Sequence, residues 1–187
     1  GEGVDLRFEM CGAGVAVCSG TRNIPAGEVF SAPSPGSVEG YIRYNVPASF
    51  NGSEFKGVRL EFDHGRISRA SCESGDGRAL EAIFDTDGGA RMIGEFAIGT
   101  NPFIDRITGD ILFDEKASGS FHLTPGNSYD GCGNGNRSGI HWDLVYCMHG
   151  EYGGAELWFD DTLISQNGLF VPDALQPLNP ENLCGEL

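Results

Sequence analysis

Gly94-Glu95-Phe96-Ala97-Ile98-Gly99 is followed along the chain by Ser120-Phe121-His122-Leu123 and then by Ile140-His141-Trp142-Asp143. These three stretches organise the reading of everything around them. Each is an apolar run interrupted by one or two groups that can ligate a metal. A carboxylate inside a run such as residues 92–99 is expected to be buried, and a buried carboxylate needs a partner or a cation. Side chains of an extended strand alternate between its two faces. His141 and Asp143 are therefore predicted to point to one side together, with Trp142 on the other. Glu95, His122, His141 and Asp143 make an N/O donor set suited to a borderline divalent cation such as Zn, Co or Mn.

Working outward, the pattern is mostly strand. Residues 4–10 alternate apolar and charged side chains, and Gly12 to Gly14 turn the chain toward residues 15–18, read as a hairpin partner. Asn23-Ile24-Pro25-Ala26-Gly27-Glu28 is a loop by composition that delivers Glu28 to a short run at 29–32. Residues 41–46 alternate again and 47–52 read as a break. Residues 58–62 and 66–71 form a predicted hairpin with His64 at its exposed tip. Residues 77–85 are a helix, with Asp76 placed to cap it and Leu80, Ile83 and Phe84 at helical spacing. Residues 104–117 suit a short helix with Asp110, Asp114, Glu115 and Lys116 on its wet side. Residues 126–139 are a glycine-rich loop, 140–148 a strand, 155–159 and 162–165 a hairpin, and 168–171 a last strand. The expected fold is α+β and β-rich: a mostly antiparallel, hairpin-rich sheet with one or two short helices. Residues 1–172 are taken as a metal-binding, catalytic-type domain and 173–187 as an extended tail.

The 187 residues suffice to bury a core. No apolar run approaches the roughly 18–20 residues of a membrane span. The charge, 12 − 27 = −15, argues against nucleic acid as a partner, since nucleic-acid binders present a basic face; it argues equally against anionic membranes. An acidic surface serves solubility or attracts cations, including metal ions and peptide amino termini. The six cysteines, Cys11, Cys18, Cys72, Cys132, Cys147 and Cys184, form no C-x-x-C pair. They allow two readings, buried thiols or at least one disulfide.

Ordered motifs along about 170 residues resemble the M29 metallo-aminopeptidases, the group that includes aminopeptidases T and S. They are Val4-Asp5-Leu6, Asn23-x-Pro25-x-Gly27-Glu28-Val29-Phe30, Gly57-Val58-Arg59-Leu60-x-Phe62, Asp85-Thr86-Asp87-x-Gly89-Ala90-Arg91 and Gly94-Glu95-Phe96-Ala97-Ile98-Gly99-Thr100-Asn101. Ile111-Leu112-Phe113-Asp114-Glu115-Lys116, Phe121-His122-Leu123, Ile140-His141-Trp142-Asp143 and Asn167-Gly168-x-Phe170-Val171 complete the set. The resemblance is to the carboxy-terminal half of such enzymes. It implies two divalent metal ions (Zn, Co or Mn) on Glu28, Glu95, His122, His141 and Asp143, with Glu95 bridging. It also implies hydrolysis of the amino-terminal residue of a peptide substrate by a metal-activated water. Glu95 and Tyr129 carry the catalytic roles, Tyr129 as a donor to the tetrahedral intermediate, with Lys116 and Arg43 as weaker candidates. A homo-oligomer, a cytoplasmic location and a missing amino-terminal half, in the same protein or a separate chain, belong to the same expectation.

Two other functions compete. His122, His141 and Asp143 alone would suit a mononuclear iron ring-cleaving dioxygenase. An acidic, hairpin-rich domain could also serve as a non-catalytic, self-assembling structural subunit that pairs through its edge strands.

Overall fold

Alternating apolar and polar side chains turn most of this chain into short strands joined by tight turns. The computed structural model describes residues 1–21 and 23–184. In chain order the first strands are β1 (Val4–Arg7), β2 (Ala16–Cys18), β3 (Glu28–Ser31), β4 (Glu39–Arg43), β5 (Ala48–Phe50) and β6 (Ser53–Phe55). Then come β7 (Arg59–Asp63), β8 (Arg66–Ser71), helix α1 (Gly77–Phe84), β9 (Ile93–Gly99), the single helical turn α2 (Ile111–Asp114) and β10 (Ser120–Pro125). The chain closes with β11 (Leu144–Cys147), β12 (Glu156–Phe159), β13 (Thr162–Gln166), β14 (Leu169–Phe170) and α3 (Pro180–Leu183). The fold is α+β and β-rich, and among the described residues every strand pair is antiparallel.

Two sheets matter for the site. One has the order β1-β4-β7-β8 and the other β11-β10-β9-β3-β2. Ile42, Leu60, Phe62 and Ile67 of the first join Phe96, Phe121, Leu123 and Leu144 of the second in one apolar cluster. Helix α1 packs on β8 and adds Leu80 and Phe84 to that cluster. Its start is set by Asp76, whose carboxylate accepts from the backbone N–H groups of Arg78 (2.8 Å) and Ala79 (3.3 Å); such caps contribute ~1 kcal/mol. Asn45 clamps the two sheets together. Its amide donates to the carbonyls of Cys147 (2.8 Å) and Tyr152 (2.9 Å) and accepts from the Cys147 N–H (2.9 Å).

The helix at 77–84, the β7–β8 hairpin with His64 exposed at its tip, and the β12–β13 hairpin match the expectation from sequence. Several other expectations are corrected. β2 does not pair with β1; it pairs with β3, which lets Ala16 pack against Phe30 and Ala97, while β1 pairs with β4. Residues 47–52 are not a simple break but the start of the β5–β6 hairpin. Asn51 (φ 48°) and Gly52 (φ 83°) form its turn, the Asn-Gly pair whose positive φ angles suit a two-residue hairpin. Regular strand in 140–148 is confined to β11, with a bridge from His141 to Gly126 before it. The tail is not extended throughout. It holds a 3₁₀ turn at Gln176–Leu178 and the short α3, anchored where the Asn179 amide exchanges hydrogen bonds with backbone Phe170 (2.8 and 3.0 Å). Its last residues, 185–187, lie outside the described residues. Of the cysteines, Cys11, Cys18, Cys72, Cys147 and Cys184 are free thiols, with Cys18 and Cys147 buried. No helix among the described residues is long and apolar enough to cross a membrane.

Candidate metal centre

Strand register assembles the site. Across β3, β9 and β10, Glu28 stands opposite Gly99, Phe30 and His122 both stand opposite Ala97, and Thr124 stands opposite Glu95. Alternation then puts Glu28, Glu95, His122 and Thr124 on one face of three neighbouring strands. Phe96, Phe121 and Leu123 turn the other way, into the core. The small side chains of Ala97 and Gly99 leave room at the centre of the polar face. A Cβ on Gly99 would meet the Ala117 carbonyl and the Ser120 hydroxyl, so glycine lets the segment between α2 and β10 close over the strand. From the side, Trp142 inserts into the core and carries His141 and Asp143 to the polar face, as the alternation predicted.

Glu28, Glu95 and His122 are all buried. His122 Nε2 lies 3.0 Å from Glu95 Oε1, 3.8 Å from Glu28 Oε2 and 3.9 Å from Asp143 Oδ1. His141 Nε2 lies 3.4 Å from Asp143 Oδ1. Two overlapping groups emerge: in Glu28–Glu95–His122 and in Glu95–His141–Asp143, one potential ligand atom per residue lies within 4.8 Å of the others. Glu95 belongs to both. The five residues expected to ligate metal therefore meet in one place. Supporting contacts orient them. Thr124 donates its hydroxyl to Asp143 Oδ1 at 2.6 Å. His141 Nδ1 lies 2.8 Å from the Asn127 carbonyl, which leaves Nε2 free to ligate, the usual outer contact of a metal-binding imidazole.

Whether a cation fits is tested by what the protein leaves unsatisfied. Glu95 Oε2 is buried with no hydrogen-bond partner; a lone carboxylate oxygen in that position is costly without positive charge. The imidazoles respond to the same demand. Burial alone would lower His122, but Glu95, Asp143 and Glu28 raise it to about 9. Burial likewise opposes His141, and Asp143, the Asn127 carbonyl and Glu95 raise it to about 9. Burial would raise Asp143, yet the two histidines and Thr124 hold it below the usual carboxylate range. Divalent cations would supply that charge, and the donor set suits Zn, Co or Mn.

The charged residues at the end of α2 and just after it are not on a wet side. Asp114, Glu115 and Lys116 are buried. Asp114 accepts from the Thr108 N–H and hydroxyl and from the Gly109 N–H. Lys116 Nζ lies 3.0 Å from Glu28 Oε1 and pairs closely with Glu115. Burial and the Asp143 charge push the Glu115 carboxyl up to about 7. Glu115 is the site residue that sequence reading missed; an Asp-Glu-Lys run directly after an apolar turn was the available signal. Arg43 does not join the cluster; it pairs with Glu73 at 2.6 Å on the other sheet. Tyr129 does join it. Its ring is half-exposed, 4.9 Å from the His141 ring and 5.6 Å from Phe30. Burial and the charges of Glu95, Asp143, Glu115 and Glu28 raise its phenol, so it keeps its proton.

The loop from 126 to 139 carries Tyr129 and is tied down by asparagines. Asn134 donates to the carbonyls of Pro33 and Ile93, and Asn136 to those of Gly89 and Gly126. Asp87 fastens its end, accepting from Gly139 N–H at 2.6 Å and from the Ser138 hydroxyl at 3.0 Å. The Gly139 bond, aided by Ser138, Gly89 and Ala90, lowers Asp87 below its ordinary 3.8. A depressed carboxyl stabilises the fold above its unfolded value and loses that contribution as pH falls through the folded one. Hydrogen-exchange protection at Gly139 is therefore expected to decline on acidification below 3.8. Asp87→Asn should show lower protection at neutral pH and no such acid step; an unchanged step in the variant would assign it to another group.

A family model described as thermophilic metalloprotease (M29) matches residues 2–156. Aminopeptidase T of Thermus thermophilus is 35% identical over 111 residues, which take in 57% of this chain and 26% of that protein. The solved structure of wild-type AmpT from Thermus thermophilus superposes with a TM-score of 0.65 at 26% identity, covering 89% of this chain and 45% of that one. A 2,5-dihydroxypridine dioxygenase from Pseudomonas putida KT2440 shares the fold, with a TM-score of 0.57 at 17% identity over 78% of this chain and 44% of that chain. The chain thus spans under half the length of these relatives.

Proposed function

The chain belongs to the M29 family of thermophilic metalloproteases, and from that membership we propose that it is the metal-binding half of an aminopeptidase that removes the amino-terminal residue of peptides. The observation that carries the reading is the sharing of Glu95 between two groups of potential ligands. Glu28, Glu95 and His122 would hold one divalent cation, and Glu95, His141 and Asp143 the other. Five residues with one shared give each cation three protein ligands and leave positions open, as catalytic sites require. Bound there, such a pair supplies Lewis acidity toward a carbonyl and makes a water acidic enough to react near neutral pH.

The chain's own groups do the rest. Glu95, buried and central, stands between the two positions and would orient a water held there. Tyr129 keeps its phenolic proton and can donate it as a hydrogen bond to the oxygen that gains charge at the scissile carbonyl. The surplus of carboxylates over the single buried lysine favours a substrate that brings a positive α-amine, which restricts cleavage to the chain end. A site for one iron on His122, His141 and Asp143 would leave the buried Glu95 Oε2 without a partner.

The test is elemental analysis after incubation with zinc or cobalt, paired with hydrolysis of an amino-acid anilide and its N-acetyl derivative. About two ions per chain, and cleavage of the free-amine substrate only, are expected. One iron per chain, or two ions without cleavage of either substrate, would overturn the peptidase reading for this chain; the second outcome would favour the structural subunit.

A further inference from the structure

We propose that Lys116 makes the two cation positions unequal: the position on Glu95, His141 and Asp143 fills first, and the position on Glu28, Glu95 and His122 fills second and exchanges more readily. This rests on the two-cation reading above. The Lys116 side chain is fully buried, and its Nζ lies 3.0 Å from Glu28 Oε1 and in close contact with Glu115. A buried ammonium held by two carboxylates does not swing out to solvent, because leaving them would strand three charges. Glu28 Oε1 is thus committed to the lysine. What Glu28 offers to a metal is Oε2, the oxygen that faces His122 at 3.8 Å. A cation there would sit one carboxylate away from a fixed positive charge, where water does little to screen the repulsion.

Among the described residues, the other position has no such neighbour in the contacts of its residues. Asp143 meets the two imidazoles and the Thr124 hydroxyl. The His141 ring is aligned by the Asn127 carbonyl. Both contacts raise the value of the ligands they touch. Lys116 is therefore a positioning residue. It keeps Glu28 in place when the metal is absent and sets how much metal is needed to complete the pair. Over the range of metal concentration between the two affinities the chain carries one ion, so its activity would follow metal supply.

The experiment is a zinc titration of the full chain against a competing chromophoric chelator. Wild type is expected to show two binding events separated by about tenfold or more. Lys116→Met should tighten the weaker event by about tenfold while moving the tighter one by less than about threefold, and Lys116→Arg should preserve the gap. Two equal events in wild type, a gap that Lys116→Met leaves unchanged, or a weaker event that it loosens would overturn the role of Lys116 while leaving the two-cation centre in place. Uptake of less than one zinc by wild type and Lys116→Met alike would overturn the centre and this inference with it. Should Lys116→Met fail to fold, the order is read from Glu28→Gln and Asp143→Asn. The first should remove the weaker event and the second the tighter; the opposite assignment would overturn the proposal.

Discussion

Glu95→Gln is expected to abolish tight zinc binding at both positions at once. The amide keeps the shape of the side chain but replaces a charged ligand with a weak one. Glu95 is the residue common to the two groups of potential ligands, so each position drops from three protein ligands to two. Outer-shell changes alone cost 10–100-fold in metal affinity, and loss of a direct ligand should exceed that, at about a hundredfold or more for each ion. Glu28→Gln touches one group only and should remove a single ion. The contrast between the two variants measures sharing, which neither gives alone. The fold should survive Glu95→Gln, because in the metal-free chain the substitution removes one of three carboxylates crowded around His122 and puts a neutral group, cheaper to bury than a charged one, where Glu95 Oε2 has no partner. Zinc titration together with a thermal melt of the metal-free form decides the matter. If Glu95→Gln still binds one zinc with the affinity of wild type, Glu95 serves one position and the bridging assignment fails.

Much of this centre was legible in the sequence because it follows local rules. A carboxylate in the apolar run around Glu95 had to be buried, and period-two alternation sent His141 and Asp143 one way and Trp142 the other. The Asp76 cap and the spacing of Leu80 and Phe84 announced α1. What could not be read depended on partners far along the chain. Val15 to Cys18 looked like a hairpin with residues 4–10, since Gly12 and Gly14 lie between them. The actual choice was made by Phe30 and Ala97, which offer Ala16 a buried surface. Glu115 and Lys116 looked solvated because one helical turn is too short for periodicity to show its inner side. Their burial is permitted by Glu28, 88 residues before Lys116 by number (116 − 28). The pairing of Glu28 with Lys116 exists only once β3 and β9 have aligned. Local pattern thus marked the strands and the candidate ligands, and sheet order set the charges that surround them.

Trp142→Ala should be strongly destabilising and should reach the metal centre through the fold. The indole is 2% exposed and sits among three aromatic rings, with centroids 5.2 Å from Phe50, 5.8 Å from Phe55 and 5.8 Å from Phe84. Those rings come from the β5–β6 hairpin and from α1, so one side chain ties both elements to the segment carrying His141 and Asp143. Removing it leaves a cavity that rigid neighbours cannot fill, at a cost of about 3–5 kcal/mol, a large share of the 5–15 kcal/mol that typically holds a domain together. Trp142→Phe should cost clearly less. It retains aromatic packing and removes a buried indole N–H that has no hydrogen-bond partner, so lost surface is partly offset by relief of an unsatisfied donor. Denaturant titrations of the three proteins without metal give the stability order. Zinc affinity, measured where each is still folded, gives the second readout. His141 and Asp143 flank the anchor directly, so Trp142→Ala should weaken the position they share with Glu95 more than the position on Glu28 and His122. A loss below about 1 kcal/mol for Trp142→Ala would show that the aromatic cluster closes around the gap. Equal weakening of both metal positions would show that Trp142 supports the sheet as a whole and not the segment that presents His141 and Asp143.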